Sequence, residues 1–255
     1  MTEQSILRNP TPLESRFAVQ THRLDVAGRQ LNITAPQDPD SLLDDPITEQ
    51  RYKADNYLPY WPIIWPSSLM LAHRILQSDE SPPLFSHHTV NPPATPDAPA
   101  TPYVPCALEL GCGLGIAGIM AGWRGWHVTF TDYDPEAVDF ARHNALRNGL
   151  SADCVSAFQM DWRAPVRRQF SWIIASDVLY ERRLHAILLA AIKNLLAPGG
   201  TVWISDPGRN SAEDFPILAV LENFAVSEGP LKWHGDAGMQ KDGLLYRLKR
   251  EIPGP

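Results

Sequence analysis

A glycine-rich stretch followed by an acid is the part of this sequence whose spacing most clearly predicts chemistry. The segment from residue 108 to 134 reads LELGCGLGIAGIMAGWRGWHVTFTDYD. Gly111, Gly113 and Gly115 allow a sharp turn and a close approach of the backbone to a ligand. Asp132 follows about twenty residues later, at the end of an apolar strand, where a carboxylate can meet ribose hydroxyls. The stretch therefore predicts a site for a nucleotide-like cofactor.

Two classes of cofactor could use this stretch, and the acid at its start separates them. Gly113-x-Gly115-x-x-Gly118 formally matches the dinucleotide pattern, which would predict NAD or a flavin. Glu109 argues against that interpretation because a carboxylate beside the helix N-terminus would repel a pyrophosphate. The same carboxylate suits a ligand that carries an ammonium and a sulfonium, namely S-adenosylmethionine. A strand-to-helix turn that binds no ligand is the third interpretation.

The elements around the glycine stretch predict the fold that positions it. Apolar runs of strand and helix length alternate as β-α-β-α-β-β-α-β-α-β-β, with a helix at Leu184–Leu196, a strand at Thr201–Ser205 and a helix at Glu213–Ala225. The last two strands, at residues 226–233 and 244–251, read as a hairpin that closes the sheet edge. The fold class is therefore α/β: a Rossmann-like, doubly wound, seven-stranded sheet with a C-terminal antiparallel hairpin and an N-terminal cap.

Prolines and composition divide the chain into three parts. Residues 1–80 read as a loose arm, a hairpin around Ala27-Gly28 and a cap helix at Ser67–Leu76; residues 38–45 read as acidic turns. Residues 81–105 carry eight prolines and form a linker. Residues 106–255 form the cofactor-binding core.

Composition excludes several classes of function. The 255 residues are 44% hydrophobic and 20% charged with a net charge of −7, which gives no electrostatic footprint for nucleic acid. No apolar run approaches the length of a membrane span, and no signal-peptide pattern opens the chain. Three cysteines without metal-ligand spacing predict neither a disulfide framework nor a metal site, so we expect a reducing, cytoplasmic setting.

Taken together, these motifs resemble those of the class I, seven-strand methyltransferases. The resemblance covers residues 57–251. Within this class, the chain looks most like the protein-lysine methyltransferase group that is also labelled nicotinamide N-methyltransferase-like. It depends on a limited set of motifs: Ile64-Trp65-Pro66, Glu109 to Gly115, Asp132, Met160-Asp161-Trp162 and Ser176-Asp177-Val178-Leu179-Tyr180.

The resemblance implies a set of cofactor-binding residues at the carboxyl edge of the sheet. Asp132 is expected to accept from both ribose hydroxyls. Tyr133 would pack beside the adenine and Trp162 would cover its face. Asp161 could accept from the adenine amine, although a helix N-cap role is an equal alternative. The remaining members of the set are Trp65, which can line the pocket and donate its N–H, the loop residues Glu109, Gly111, Gly113 and Gly115, and Ser176 through its backbone.

Two residues are expected to face the methyl group. Asp177 could accept an N–H from the incoming amine and orient it, while Tyr180 could hold a cationic amine by its hydroxyl or its ring face. The alternatives are that Asp177 caps the following helix and that Tyr180 only packs.

The sequence thus predicts an N-methyltransferase that uses S-adenosylmethionine and, by resemblance, modifies a lysine of a protein substrate. A small-molecule N-methyltransferase is the nearest alternative. An NAD-dependent oxidoreductase and an inactive methyltransferase-like scaffold are more distant ones. Neither a nucleic acid nor a membrane is predicted as a partner.

Overall fold

The computed structural model describes residues 13–79, 105–234 and 240–250. The predicted arm up to residue 12 and the predicted linker from residue 81 to 104 lie outside the described residues. The boundary of the predicted core at residue 106 coincides with the first strand of the large sheet.

Within the described ranges, nine strands form a hairpin and one large sheet. The strands are β1 Val19–Val26, β2 Arg29–Pro36, β3 Cys106–Leu110, β4 His127–Asp132, β5 Val155–Gln159, β6 Phe170–Ser176, β7 Leu196–Asp206, β8 Phe224–His234 and β9 Gln240–Arg250. The large sheet has the order β5-β4-β3-β6-β7-β9-β8. The first five strands in this order pair in parallel. Strand β9 pairs antiparallel with both β7 and β8, so the predicted doubly wound sheet with a terminal hairpin is confirmed.

Helices cover both faces of this sheet. They are α1 Pro46–Asp55, α2 Pro66–Leu76, α3 Ile116–Trp123, α4 Pro135–Arg147, α5 Arg182–Leu195 and α6 Phe215–Leu221. None of the helices in the described ranges is long and apolar enough to span a membrane. Strand residues alternate between two cores: Ala107 packs with α2, α3 and α4, and Leu108 packs with α5 and α6.

The strand order fixes where ligands can bind. From β3 the chain moves outward through β4 to β5, and then returns to the other side of β3 to form β6. The carboxyl ends of β3, β4 and β6 therefore surround a topological switch point, where open α/β sheets leave a crevice.

The N-terminal hairpin is anchored to the C-terminal end of α4 by one buried and one half-buried side-chain amide. Asn144 accepts from the Thr34 N–H at 2.8 Å and donates to the Thr34 carbonyl at 3.0 Å. Asn148 repeats the exchange with Asn32 at 2.9 and 2.7 Å. These side chains pair one edge of β2 and make the predicted hairpin part of the core packing.

The structure differs from the prediction in three elements. A helix was not predicted at residues 46–55, yet α1 forms there because Asp45 caps it by accepting from Ile47 N–H at 2.8 Å. The helix predicted at Glu213–Ala225 is shorter, since Asn223 takes a left-handed φ of 65° and Phe224 begins β8. Strand β7 begins earlier than predicted, at Leu196, because this residue pairs with Phe170 in β6.

Candidate active site

A cavity lies at the carboxyl edge of β3, β4 and β6, beneath the end of α1 and the start of α2. It brings together all the sequence-predicted site residues except two. The predicted residues that line it are Trp65, Gly111, Gly113, Asp132, Tyr133, Asp161, Trp162, Ser176, Asp177 and Tyr180.

The glycine loop is the floor of the cavity, and its backbone requires glycine. Gly111 and Gly113 have φ values of 62° and 48°, which L side chains rarely adopt. A Cβ on Gly113 would come within 3.1 Å of the Trp61 carbonyl. The loop can therefore present bare backbone to a ligand, as its spacing predicts.

Asp132 is the carboxylate that the loop holds in place. Its Oδ2 accepts from the Gly113 N–H at 2.9 Å, and its Oδ1 accepts from the Asp134 N–H at 3.0 Å. Each oxygen keeps a further lone pair, so two ligand hydroxyls can be bound side by side. Burial raises the pKa of Asp132 to about 6, against the opposing effect of these backbone hydrogen bonds.

Two predicted cofactor-binding residues lie outside the cavity lining. Glu109 is 1% exposed and accepts from the Gly118 N–H at 2.9 Å, so its carboxylate faces the first turn of α3. Gly115 precedes α3, and a Cβ there would meet Ala141 Cβ at 2.9 Å. Both residues shape the strand–loop–helix unit by packing, and neither lines the cavity.

The wall of the cavity, formed by the residues predicted to hold the adenine (Tyr133, Asp161 and Trp162), is contacted by an arginine that was not predicted from the sequence. Arg163 makes two hydrogen bonds to Asp161 from Nε, both at 2.9 Å, and lies 5.6 Å from the centre of the Tyr133 ring. The Tyr133 hydroxyl donates to Asp55 at 3.0 Å. Asp161 also accepts from the Arg163 N–H in a turn and caps no helix, so the N-cap alternative is wrong.

The end of α1 is held over the cavity by polar contacts. Arg51 pairs with Asp134 at 3.1 Å, and the Tyr57 hydroxyl donates to the same carboxylate oxygen. Arg183 donates to the Asp55 carbonyl at 2.6 Å. Only Thr48 of α1 is buried, so these contacts hold the helix more than apolar packing does. Sequence periodicity could not reveal them, although Asp45-Pro46 with Glu49 is a readable helix-start signal.

Aromatic side chains form the mouth of the cavity. Tyr60 makes edge contacts with Trp65 and Tyr180, at ring separations of 6.1 and 5.5 Å. Trp65 donates its Nε1–H to the Tyr60 carbonyl at 3.0 Å, as an indole that lines a pocket can. Tyr180 is 38% exposed, so it lies at the rim and is not simply packed in the core.

Asp177 lies beneath this mouth and is fixed at three points. It has a left-handed φ of 58°, and its N–H donates to the Ser205 carbonyl at 2.9 Å. Its Oδ1 accepts from Arg209 Nε at 2.8 Å and Nη2 at 2.7 Å, while its Oδ2 is buried without a hydrogen-bond partner. The N-cap of α5 is Glu181, so the alternative that Asp177 caps that helix is wrong. Arg209 was not predicted.

The residues present fit the predicted cofactor. A bare glycine loop and a fixed carboxylate with two available oxygens suit a ribose, and flanking aromatic rings suit a purine. When ionised, Asp132 also gives the cavity a negative charge that suits a cationic ligand.

Comparison with known proteins gives the same interpretation. A sequence model described as lysine methyltransferase matches residues 61–219, well over half of the chain. The electron transfer flavoprotein beta subunit lysine methyltransferase of Xenopus laevis is 29% identical over 66% of this chain and 60% of that protein. The protein-lysine N-methyltransferase rrg1 of Schizosaccharomyces pombe is 34% identical over 55% of this chain and 50% of that protein. This chain thus aligns with about half to three fifths of each relative.

A solved structure shows the same fold. A S-adenosylmethionine-dependent methyltransferase from Methanosarcina mazei superposes with a TM-score of 0.50 at 14% identity, covering 58% of this chain and 93% of that one. The sheet order, the cavity at its switch point and the match of the family sequence model agree. The chain belongs to the lysine methyltransferase family.

Proposed function

We propose that this protein uses S-adenosylmethionine to methylate the side-chain amine of a lysine in a protein substrate. The observation that carries the proposal is the placement of Asp177 beneath an aromatic mouth, in the same cavity as Asp132. The first carboxylate suits an amine, and the second suits the hydroxyls of a ribose. Membership in the lysine methyltransferase family supports the choice of acceptor.

The cofactor would be held by the floor and wall of the cavity. Asp132 would bind the ribose hydroxyls, with Gly111 and Gly113 close to the ligand and Tyr133 and Trp162 beside its adenine. When bound, S-adenosylmethionine supplies a methyl group that its sulfonium activates toward an amine nucleophile. Because the cofactor brings this activation, the protein has to position the amine and exclude water.

The mouth of the cavity would perform that positioning. Oδ1 of Asp177 is bonded to Arg209, and Oδ2 has no hydrogen-bond partner. Asp177 would accept an N–H from the amine through Oδ2 and so orient the nitrogen lone pair. Tyr60, Trp65 and Tyr180 form an aromatic lining that fits the apolar stem of a lysine and excludes water around the nitrogen.

The rim favours a polypeptide over a metabolite as the acceptor. Tyr60, Ile63 and Tyr180 line the cavity and are each 37–39% exposed, so apolar surface continues from the cavity to the outside of the protein. Such surface suits the residues that flank an acceptor lysine. A small metabolite amine would need no contact beyond the cavity.

A labelling experiment tests the proposal. The protein is incubated with methyl-labelled S-adenosylmethionine and an extract of its source cells, and the products are separated into proteins and small molecules. We expect a labelled protein whose acid hydrolysate contains methyl-lysine, and no such label with Asp177→Asn. Label confined to small molecules would support the alternative, and no label in either fraction would contradict both.

The same proposal includes a cytoplasmic location. Cys106, Cys112 and Cys154, the three cysteines of the sequence, form no disulfide. Free thiols persist in reducing compartments. Fractionation of source cells with an antibody against this protein tests the location.

A further inference from the structure

Arg209 pairs with Asp177, one of the residues that line the cavity. Both of its hydrogen bonds, from Nε at 2.8 Å and Nη2 at 2.7 Å, go to the same oxygen of Asp177. The guanidinium also lies 5.9 Å from the centre of the Trp65 ring. It therefore occupies a position between a carboxylate and an aromatic face, which is the environment expected for an acceptor amine.

The backbone fixes both members of this ion pair. Asp206, at the end of β7, accepts from the Gly208 N–H at 2.8 Å and from the Arg209 N–H at 2.7 Å, which sets the turn that carries the guanidinium. Gly208 has a φ of 85°, which favours glycine at this position. Asp177 is itself in a left-handed conformation, which residues with a side chain rarely adopt. The pair is thus built into the loop ends rather than formed by two mobile surface side chains.

The chemistry of the proposed reaction gives this pair a purpose. A carboxylate alone would stabilise the protonated form of a lysine amine, and a protonated amine has no lone pair with which to attack. Arginine keeps its positive charge throughout the physiological pH range. We propose that Arg209 is a positioning residue that offsets the charge of Asp177, so that the mouth takes the acceptor as a neutral amine. This inference rests on the proposed function.

Other charged groups near the mouth are already matched, or are acids. Glu181 pairs with Arg183 at 2.5 Å, and Arg182 pairs with Asp214. Asp206 is buried and its Oδ2 has no hydrogen-bond partner. The charged or titratable groups that line the cavity with Asp177 on this side are Tyr60, Tyr180, Glu181 and Arg183, and Asp206 holds the turn that carries Arg209. Loss of the guanidinium would therefore leave the mouth with uncompensated acids.

Binding of n-butylamine, a mimic of the lysine side chain, tests the inference without an identified substrate. The protein is saturated with S-adenosylhomocysteine, and amine binding is measured by NMR at pH 7, where the amine is protonated. We expect Arg209→Gln to bind the cation about tenfold more tightly than the wild type, and Arg209→Lys to stay within about threefold of it. Arg182→Gln is the matched control because its exposed pair does not contact Asp177.

Equal or weaker binding of the amine by Arg209→Gln would overturn the inference. If that variant does not fold, Asp177→Asn gives the opposite test, since Arg209 then lacks its carboxylate and amine binding should fall at least tenfold; unchanged binding would also overturn the proposal.

Turnover on the acceptor protein found by labelling adds a readout that a purely structural role would not move. The rate of Arg209→Gln should be about tenfold low at pH 7 and should recover by about pH 10, as the amine loses its proton. A loss of rate that is equal at every pH would contradict the inference. If the wild type labels no lysine at all, the proposed function fails, while the amine-binding result still decides the role of the ion pair.

Discussion

The substitution Glu109→Gln should stabilise this protein at neutral pH. Glu109 is buried beneath the glycine loop, where Oε2 accepts one hydrogen bond from Gly118 and Oε1 has no partner. Burial raises the pKa of this carboxyl to about 8 from an ordinary 4.5, although the N–H groups of Gly118 and Ala117 act in the opposite direction. One or two backbone donors do not compensate for the desolvation of a buried charge.

The sign and size of the effect follow from this raised pKa. An acid with a raised folded-state pKa contributes its full stability below pH 4.5, and that contribution is lost as pH rises from 4.5 to about 8. At pH 7 the folded state holds the proton while the unfolded state has released it. Since each pKa unit corresponds to about 1.4 kcal/mol, the loss at pH 7 is about 3 kcal/mol. Glutamine keeps the acceptor for Gly118 and has no proton to lose.

Urea unfolding followed by tryptophan fluorescence measures the difference. Between pH 4 and pH 9, the free energy of unfolding of Glu109→Gln minus that of the wild type should rise from near zero to its largest value near pH 8. Glu49→Gln is the control, because this side chain is 66% exposed in a surface pair with Lys53 and should give a flat difference. A difference that does not change with pH, or a glutamine variant that is less stable at pH 7, would refute the buried-carboxyl reasoning.

Three further predictions concern ligands. Asp132→Asn should weaken S-adenosylhomocysteine binding by about 1.5–3 kcal/mol in calorimetry; wild-type affinity should fall as pH drops through about 6, where Asp132 gains a proton, and a variant that binds normally would remove this residue from the site. Asp177→Asn should leave that affinity unchanged and lower steady-state turnover about 100-fold, and near-normal turnover would contradict the positioning role. Trp65→Phe should raise the dissociation constant of S-adenosylhomocysteine more than it lowers the melting temperature, whereas the reverse pattern would show that this ring is chiefly core.

Much of the fold and the site could be predicted because parallel strands expose their carboxyl ends at one edge of a sheet. Asp132 and Ser176 end two such strands, and Asp161 and Asp177 lie just beyond strand ends. Chain order alone therefore predicts that they meet, and the structure brings all four to one cavity. The distances among these four residues did not have to be predicted separately, because pairing of the strands in register sets them.

Glu109 was predicted as a ligand, but the structure places its side chain toward α3, and the direction of strand side chains explains this. Residues two apart on a strand face the same layer. Ala107 faces the core shared with α3, so Glu109 must also point toward that helix instead of beyond the strand end. A Cβ on Gly118 would come within 2.5 Å of Glu109 Oε2, which explains why the helix opposite carries a glycine. The alternation was readable in the sequence.

Arg209 could not be found in the same way. It lies beyond β7 in a turn whose course depends on two hydrogen bonds to Asp206, and nothing in the residue types tells where such a turn aims its side chains. The contacts of α1 could not be predicted from the sequence for a related reason. Arg51 and Asp55 follow no apolar periodicity, because the helix is held by ion pairs and hydrogen bonds from distant parts of the chain.

The two carboxylates of the cavity have different surroundings, and this difference supports the roles proposed for them. Asp132 is held by two backbone N–H groups, and burial raises its pKa although these donors oppose the shift; its free lone pairs suit neutral hydroxyl donors. Asp177 is held by a guanidinium under an aromatic mouth, so it can accept a hydrogen bond from an amine without drawing in a proton. A guanidinium beside Asp132 would compete with the ribose hydroxyls for the Asp132 oxygens. Without a guanidinium, Asp177 would keep the acceptor amine protonated. The distribution of partners between the two acids therefore matches a cavity that binds a ribose at one end and methylates an amine at the other.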